Sequence, residues 1–218
     1  MQLDLWEGAE RDPLLLERRA LLQGCRRVAG IDEVGRGPLA GPVVAAAVVL
    51  PLEARLPGVR DSKRLSAARR EACLQDILAC ALDVGVGTVE AEEIDRINIL
   101  QATLKAMVQA VEALAIVPDH LLIDGIHPVP VSLSQQTVPQ GDRRCLSISA
   151  ASIVAKVHRD RFMCDQNDLY PAYGFRRHKG YGTREHLEAL RRYGPCPLHR
   201  RSFRGVLPEK SVPAGGVP

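Results

Sequence analysis

Aromatic residues are scarce in this chain, at 4% of its 218 residues. The core must therefore be aliphatic, and a hydrophobic content of 46% is enough to build one. No apolar run approaches the ~20 residues that a membrane-spanning helix needs. The first residues are acidic, so we expect no signal peptide. These absences predict a cytoplasmic protein that does not bind a membrane.

Metal-binding cysteine motifs are also absent. The chain has 6 cysteines but no C-x-x-C pair and no histidines at the companion spacing. This argues against a zinc site and in favour of reduced thiols. The cysteines are Cys25, Cys73, Cys80, Cys145, Cys164 and Cys196.

The excess of positive charge is small. A net charge of +3 does not by itself identify a nucleic-acid partner. The arginines are more informative because pairs of them cluster in the C-terminal half, although any single pair is more often a solvated helix face. The pairs are Arg143 and Arg144, Arg176 and Arg177, Arg191 and Arg192, and Arg200 and Arg201.

The hydrophobic pattern divides the chain into an N-terminal helical appendage at 1–23, a body at 24–207 and a disordered Pro- and Gly-rich tail at 208–218. Within the body, a strand, a long helix and a second buried strand in succession indicate an α/β sheet with a parallel pair. The predicted strands are 28–31, 43–50, 82–89, 120–125 and a short one at 135–138. The predicted helices are 66–80, 91–116 (as one helix, or as two with a second start at Asn98), 146–168 and 185–193.

Acidic residues stand where an ordinary sheet prefers apolar ones. Asp32 and Glu33 follow the first predicted strand, Asp124 ends the fourth, and Asp142 precedes the long helix. Carboxylates in such a cluster repel one another, and a hard divalent cation relieves the repulsion. Turn or capping carboxylates are the alternative, which for Asp142 is nearly as good. In a regular strand Asp32 and Glu33 point to opposite faces.

A glycine turn follows the first acidic pair. Gly35, Arg36 and Gly37 offer backbone N–H groups and a guanidinium, both of which suit a phosphate. The turn is too short for a Walker loop, and the chain has no G-x-x-x-x-G-K-[ST] motif. Two divalent ions about 3.5–4 Å apart can activate water for phosphodiester hydrolysis. The sequence therefore predicts a phosphoryl-transfer site.

An ordered set of motifs spans residues 27–203. The motifs are GIDEVGRGPLAGPV at 30–43, DSK at 61–63, LIDG at 122–125, SISAASIVAKV at 147–157, RDR at 159–161, YGF at 173–175, HKGYGT at 178–183 and HRRSF at 199–203. A lone motif would be weak support, but the ordered set is specific, and by it the chain closely resembles bacterial ribonuclease HII, the type 2 ribonuclease H.

The resemblance implies a ribonuclease H-like fold, with a five-stranded mixed sheet flanked by helices and additional C-terminal helices in the catalytic domain at 24–207. It implies a monomeric endoribonuclease that uses Mn²⁺ or Mg²⁺. The substrates would be RNA–DNA hybrids, cut in the RNA strand, and DNA duplexes containing ribonucleotides, incised 5′ to a single ribonucleotide. The products would carry 3′-hydroxyl and 5′-phosphate ends, and the activity would support ribonucleotide removal from DNA.

The resemblance also assigns residues. The metal-binding catalytic carboxylates would be Asp32, Glu33, Asp124 and Asp142. The loop that reads the 2′-hydroxyl would be Gly35, Arg36 and Gly37. Tyr181, or in second place Tyr173, would pack on the ribonucleotide sugar, and Lys63 would contact a backbone phosphate. One departure is Gln140, where the family usually has lysine, and the segment before Gly24 is outside the common core.

Other roles stay open at this point. Lys156 and Arg159 either face phosphates or flank Asp160 on a helix surface, and residues 199–201 are expected to anchor the C-terminal segment. Two other functions compete with a ribonuclease. A DNA-directed nuclease, such as a junction resolvase, would cut DNA without any ribonucleotide. A non-catalytic hybrid-binding module would bind without metal and release no product.

Overall fold

The computed structural model describes residues 12–59 and 65–207. The start of the appendage, Lys63 and the predicted tail at 208–218 lie outside these ranges. The role of Lys63 and the division into three segments therefore stay predictions. No helix in the described part of the chain is long and apolar enough to cross a membrane.

A five-stranded mixed sheet forms the centre of the body, with strand order β3-β2-β1-β4-β5. The pairs β1–β2 and β2–β3 are antiparallel, whereas β1–β4 and β4–β5 are parallel. The predicted mixed sheet and its parallel pair are thus confirmed. The strands are β1 (Val28–Val34), β2 (Val43–Val49), β3 (Asp83–Val89), β4 (His120–Asp124) and β5 (Ser134–Val138).

The helices agree closely with the periodicity of the sequence. Asn98 divides the predicted helix at 91–116 into two, because its positive φ of 68° stops the first and its side chain caps the second. The helices are α1 (Leu15–Leu22), α2 (Ala67–Cys80), α3 (Ala91–Ile97), α4 (Ile99–Glu112), α5 (Gly141–Arg144), α6 (Leu146–Leu169), α7 (Phe175–His178) and α8 (Arg184–Tyr193), with a 3₁₀ turn at Pro171–Tyr173.

Helices cover both faces of the sheet. On one face α4 packs against Ala29 and Ile31. On the other, α6 lies so close to β1 that a Cβ atom on Gly30 would be 2.3 Å from the main chain of Ser147. Only glycine permits that approach. Because side chains alternate along a strand, Asp32 points to the same face as Gly30, toward α6.

A smaller apolar cluster joins the C-terminal helices to the body. Tyr173 and Phe175 stack with ring centroids 5.4 Å apart, and both are buried in this cluster. Main-chain bonding between Ala40 and His199 connects the cluster to the loop that follows β1. The C-terminal helices are therefore packed against the sequence that follows the acidic pair.

The N-terminal helix caps α6. Glu17 is 4% exposed, and its Oε1 accepts hydrogen bonds from the Ser147 amide (2.9 Å) and the Cys145 thiol (3.1 Å). Burial and the charge of Glu17 raise the pKa of the Cys145 thiol, which keeps this donor protonated. The Leu146 amide donates to the Pro13 carbonyl at 2.8 Å. The appendage therefore supplies hydrogen-bond acceptors at the start of α6, where a negative charge is favourable.

Replacing Glu17 by alanine should destabilise the protein. The variant leaves the Ser147 amide buried without an acceptor, which costs about 1–3 kcal/mol, or ~2–4 °C in melting temperature for each kcal/mol. Thermal unfolding measures the loss. Glu17→Gln keeps one acceptor oxygen and should lose less, and Glu53→Ala, at an exposed position, should lose little. Equal melting temperatures for Glu17→Ala and Glu53→Ala would contradict the capping role.

Candidate active site

Two carboxylates lie side by side at the ends of parallel strands. The parallel register of β1 and β4 pairs Ile31 with Ile123, so the following residues, Asp32 and Asp124, are neighbours across the sheet. The prediction that Asp32 and Glu33 follow the first strand was wrong, because both lie within β1. The strand continues through them because its pairing with β2 continues as far as Val34.

Asp32 is buried in an electrostatically unfavourable place. It is 5% exposed, its Oδ1 accepts the Glu33 amide at 2.7 Å, and its side chain bonds to Ser152 of α6. Burial raises the pKa of this carboxyl well above its usual range, and the charges of Glu33 and Asp124 raise it further. The protein thus holds an acid that a nearby cation would stabilise in its charged form.

Glu33 connects the acidic pair to the glycine-arginine loop (Gly35, Arg36 and Gly37). Its Oε1 lies 3.2 Å from Nη1 of Arg36. Burial raises the pKa of the Glu33 carboxyl, and the positive charge of Arg36 partly opposes that shift. The guanidinium is 45% exposed, so it faces solvent while it pairs with Glu33.

Asp142 reaches the same end of the sheet through its main chain. The preceding residue, Gly141, donates its amide to Oδ1 of Asp124 at 2.7 Å. Asp142 is 4% exposed, and its carbonyl accepts the Ser149 hydroxyl at 2.5 Å. The short helix α5 lies between β5 and α6 in the chain, and the Gly141 amide holds its start against the end of β4.

Two buried arginines hold the main chain of residues 35–42, the segment after β1 that contains the glycine-arginine loop. Arg200 donates to the carbonyls of Gly35 (2.6 Å), Arg36 (3.0 Å) and Gly41 (2.9 Å). This confirms the predicted anchoring role of residues 199–201. Arg159 is equally buried.

Arg159 contradicts both predictions made for it. It donates to the carbonyls of Ala40, Pro42 and Lys179 at 2.9–3.0 Å, so it neither faces phosphates nor lies on a helix surface. Burial lowers its pKa to about 10. The sequence did contain a signal, because Arg159 follows the small buried residue Ala155 by one turn and precedes buried Met163 by one turn. Lys156, in contrast, pairs with Asp160 at 2.7 Å.

Tyr181 lies beside the glycine-arginine loop. A Cβ atom on Gly37 would be 4.0 Å from Cε1 of its ring, and the residue is 44% exposed. Tyr173 is 7% exposed, and its hydroxyl donates to the Gly194 carbonyl at 2.7 Å inside the C-terminal cluster. Of the two tyrosines, only Tyr181 is available to a ligand at the loop.

A cavity of about 600 Å³ opens next to Tyr181, between α2, α6 and α7. Its wall is mixed in charge, because basic side chains alternate with acidic ones such as Asp160. The basic residues on the wall are Arg70, Lys156, Arg161, Arg177 and Lys179.

The acidic end suits a hard divalent cation by its chemistry. Its acidic side chains offer carboxylate oxygens, which are the ligands that Mg²⁺ and Mn²⁺ prefer. Within residues 12–59 and 65–207, however, no three His, Cys, Asp or Glu side chains are already arranged around one metal position. Glu33 and Asp124 instead bond to Arg36 and to the Gly141 amide. A cation would therefore have to compete with Arg36 and the Gly141 amide for the carboxylate oxygens.

Comparison with known proteins identifies the family. A family model described as Ribonuclease HII matches residues 29–206. The chain belongs to the ribonuclease HII family. Ribonuclease HII of Syntrophobacter fumaroxidans is 63% identical over 200 residues, which cover 92% of this chain and 86% of that protein. Ribonuclease HII of Geobacter metallireducens is 56% identical over 207 residues, covering 94% and 97%.

Solved structures agree with this assignment. The ribonuclease H2 of Pyrococcus horikoshii OT3 superposes with a TM-score of 0.73 at 29% identity, covering 83% of this chain and 95% of that one. A Bst-RNase HIII structure shares the fold, with a TM-score of 0.60 at 18% identity over 83% of this chain and 68% of that one. As a member of the ribonuclease HII family, this chain is a ribonuclease H, a hydrolase that cleaves the RNA of RNA–DNA hybrids.

Asp32→Asn should make this ribonuclease HII more stable at pH 7 without divalent ions. A carboxyl whose pKa is raised on folding binds more protons in the folded state, so stability falls as pH rises through that pKa. Removing the charge should therefore raise the melting temperature at pH 7. The gain should shrink as the pH is lowered toward 4.

The matched control is Asp119→Asn, at the opposite end of β4. Burial tends to raise the pKa of Asp119, but hydrogen bonds from the Arg27 and Arg26 amides outweigh it and lower the pKa. This variant should therefore lose stability at pH 7. Thermal melts over a range of pH compare the two, and a less stable Asp32→Asn protein would contradict the electrostatic account.

Proposed function

We propose that this ribonuclease HII also incises DNA duplexes 5′ to a single embedded ribonucleotide, as a monomer, leaving 3′-hydroxyl and 5′-phosphate ends. Such incision would start ribonucleotide removal from DNA. The observation that carries the proposal is the position of Tyr181 against the glycine-arginine loop. The loop is in turn tied to the acidic end of the sheet through Arg36 and Glu33.

The four carboxylates are proposed to hold Mg²⁺ or Mn²⁺. A bound ion would neutralise the buried acids, activate the attacking water and stabilise the leaving 3′-oxygen. The raised pKa values of Asp32 and Glu33 support this, because burial makes both charged forms unfavourable and Arg36 offsets this only in part, at Glu33. Asp124 ends β4, and the hydrogen bond from the Gly141 amide to its carboxylate brings the main chain next to Asp142 toward it.

The loop and Tyr181 are proposed to recognise one ribose. The 2′-hydroxyl is the group that distinguishes RNA from DNA at a single position. Backbone groups of Gly35 and Gly37 can approach a sugar closely because no side chain intervenes. Arg36 can exchange its pairing with Glu33 for a phosphate, and the half-exposed ring of Tyr181 offers an apolar face to the sugar.

Basic residues away from the acidic end are proposed to bind the duplex backbone. Lys63 and the basic wall of the cavity beside Tyr181 would contact phosphates. Such contacts position a duplex without reading its sequence, and they make affinity fall as salt rises.

Asp124→Asn tests the function directly. Duplexes carrying one ribonucleotide, or a hybrid, are incubated with and without Mg²⁺ or Mn²⁺, and the ends are mapped on a sequencing gel. The unaltered protein should cut only with an ion, and the variant should lose cleavage by ~10²–10³-fold while retaining hybrid binding in a gel-shift assay.

Asp119→Asn serves as the control and should cut normally. Near-normal cleavage by Asp124→Asn would remove Asp124 from the site. Cleavage of an all-DNA duplex or junction would favour a DNA-directed nuclease, and binding without any product would favour a binding module.

Tyr181→Ala tests ribose recognition. The variant should cut at a lone ribonucleotide about tenfold or more slowly, because the loss of one sugar contact costs about 1–3 kcal/mol. Cutting of a continuous RNA–DNA hybrid should suffer less, since many riboses contribute there. The same substitution at exposed Tyr193 is the control, and kcat/KM on both substrates is the measurement. Unchanged rates for Tyr181→Ala would exclude the role.

A further inference from the structure

Three histidines lie behind Tyr181 in the C-terminal cluster. The rings of His178 and His186 stack at 4.6 Å, and Nε2 of His186 lies 2.9 Å from Nε2 of His199. His186 and His199 are 0% and 2% exposed. None of the three has a role in the hydrolysis outlined above.

The partners of these rings fix which nitrogens carry hydrogen. Carbonyl oxygens only accept, so Nδ1 of His186 donates to the Tyr181 carbonyl at 2.9 Å. The facing Nε2 of neutral His186 then accepts, and His199 donates to it from its own Nε2. Nδ1 of His199 is left as an acceptor, and its nearest main-chain neighbour is the Cys196 amide at 3.0 Å, closer than the Cys196 carbonyl at 3.3 Å. The bonds therefore run in one direction, from Cys196 through His199 and His186 to Tyr181.

An added proton would disrupt this chain of bonds, and the one carbonyl near His199 Nδ1, that of Cys196, is at the longer distance of 3.3 Å. Two hydrogens already serve the four ring nitrogens between the Cys196 amide and the Tyr181 carbonyl. A third would make two N–H groups face each other, either between the two rings or between His199 and Cys196. Burial acts in the same sense. It lowers the pKa of His186, and burial together with the neighbouring His186 lowers that of His199 to about 4.

The remaining ionisable groups around the rings also favour neutral histidines. His178 stacks on His186, and the charges of Arg177 and Lys179 reinforce the effect of burial in lowering the His178 pKa. The Tyr173 ring lies 4.8 Å from His199, and the Cys196 thiol 3.2 Å from its Nδ1. Burial raises the pKa of both Tyr173 and Cys196, which keeps them uncharged.

The main chain just before Tyr181 has an unusual conformation, which is unfavourable at Lys179 because that residue carries a side chain. Lys179 and Gly180 both have left-handed φ angles, of 52° and 85°. A Cβ atom on Gly180 would lie 2.4 Å from the Ala40 carbonyl oxygen. His178 accepts the Gly180 amide at 3.2 Å, and His186 holds the Tyr181 carbonyl. Histidine side chains thus bond to the main chain at Gly180 and at Tyr181.

We propose that His186 and His199 are positioning residues that fix the main chain of Tyr181 and thereby set the preference of the enzyme for a single ribonucleotide in DNA. This rests on the proposed role of Tyr181. The histidines do not touch the substrate. They act through the Tyr181 carbonyl, and His178 supports the preceding amide. Cleavage at a lone ribonucleotide depends on these hydrogen bonds more than cleavage of a hybrid does, because a lone ribonucleotide offers only one 2′-hydroxyl.

Histidine NMR tests the chain of bonds without any variant. In ¹⁵N-histidine-labelled protein at pH 6, His186 should be neutral with its hydrogen on Nδ1, and His199 neutral with its hydrogen on Nε2. A cationic ring at either position, or the opposite tautomer at His186, would overturn the chain. This readout does not depend on whether Tyr181 senses a ribose.

Variants test the link to specificity. His186→Leu should lower kcat/KM on a single-ribonucleotide duplex about tenfold relative to a hybrid, the rate equivalent of about one lost hydrogen bond. His186→Asn places an amide nitrogen near the position of Nδ1 and should recover part of the loss. His120→Leu is the matched control, because it removes a buried ring bonded to Ser134 at the far end of β4, and its substrate ratio should not change.

The Tyr181→Ala background separates the possible failures. If Tyr181 acts through this chain, adding His186→Leu to Tyr181→Ala should lower the rate no further. If Tyr181→Ala is impaired but His186→Leu keeps the normal substrate ratio, the positioning role is wrong. If Tyr181→Ala itself is unimpaired, ribose sensing by Tyr181 fails, whatever the NMR shows. If His186→Leu does not fold, His186→Asn is the test. Its amide nitrogen should keep part of the preference for a single ribonucleotide, and a substrate ratio as low as that of Tyr181→Ala would contradict this.

Discussion

The parallel register of β1 and β4 is the constraint on which the rest of the site depends. Pairing Ile31 with Ile123 makes Asp32 and Asp124 neighbours on the face that α6 covers. A slip of one residue would turn Asp32 to the other face of the sheet. The close packing at Gly30 holds α6 against β1, so the helix both covers the acids and supplies Ser152 to Asp32. The contacts that pack α6 against β1 therefore also set the surroundings of the Asp32 carboxyl.

Two buried guanidinium groups fix the position of the segment after β1, as the strand register fixes the positions of the acids. Arg159 and Arg200 each bond to several main-chain carbonyls of the segment after β1. Burying a cation is unfavourable unless its donors are satisfied, and the fork of arginine can satisfy many carbonyls at once. The result is a loop held at its main chain, which leaves Arg36 facing solvent. A loop fixed before its ligand arrives loses less entropy on binding.

The sequence was enough to predict most of the fold, and it singled out the acidic residues Asp32, Glu33 and Asp124, whose charges act on one another at one end of the sheet. Periodicity located the strands and helices, and Asn98 marked the break between α3 and α4 because its side chain suits a helix start. The buried arginines and Glu17 were not predicted as buried groups, since charged residues are almost always exposed unless their partners are known. Those partners lie more than a hundred residues away in the chain. Nor does a sequence reveal which carboxylate oxygens already accept hydrogen bonds from other groups of the protein.

The contact of Glu17 with the start of α6 also affects when the site can form during synthesis of the chain. Its acceptor oxygen meets Ser147, 130 residues later, and Arg200 reaches Gly35 across 165 residues. Contacts between such distant segments form only after most of the polypeptide has left the ribosome. A nascent chain that ends before α6 leaves Asp32 without its cover, and one that ends before Arg200 leaves the loop free. The covered acids and the anchored loop can therefore form only after both α6 and Arg200 have been synthesised.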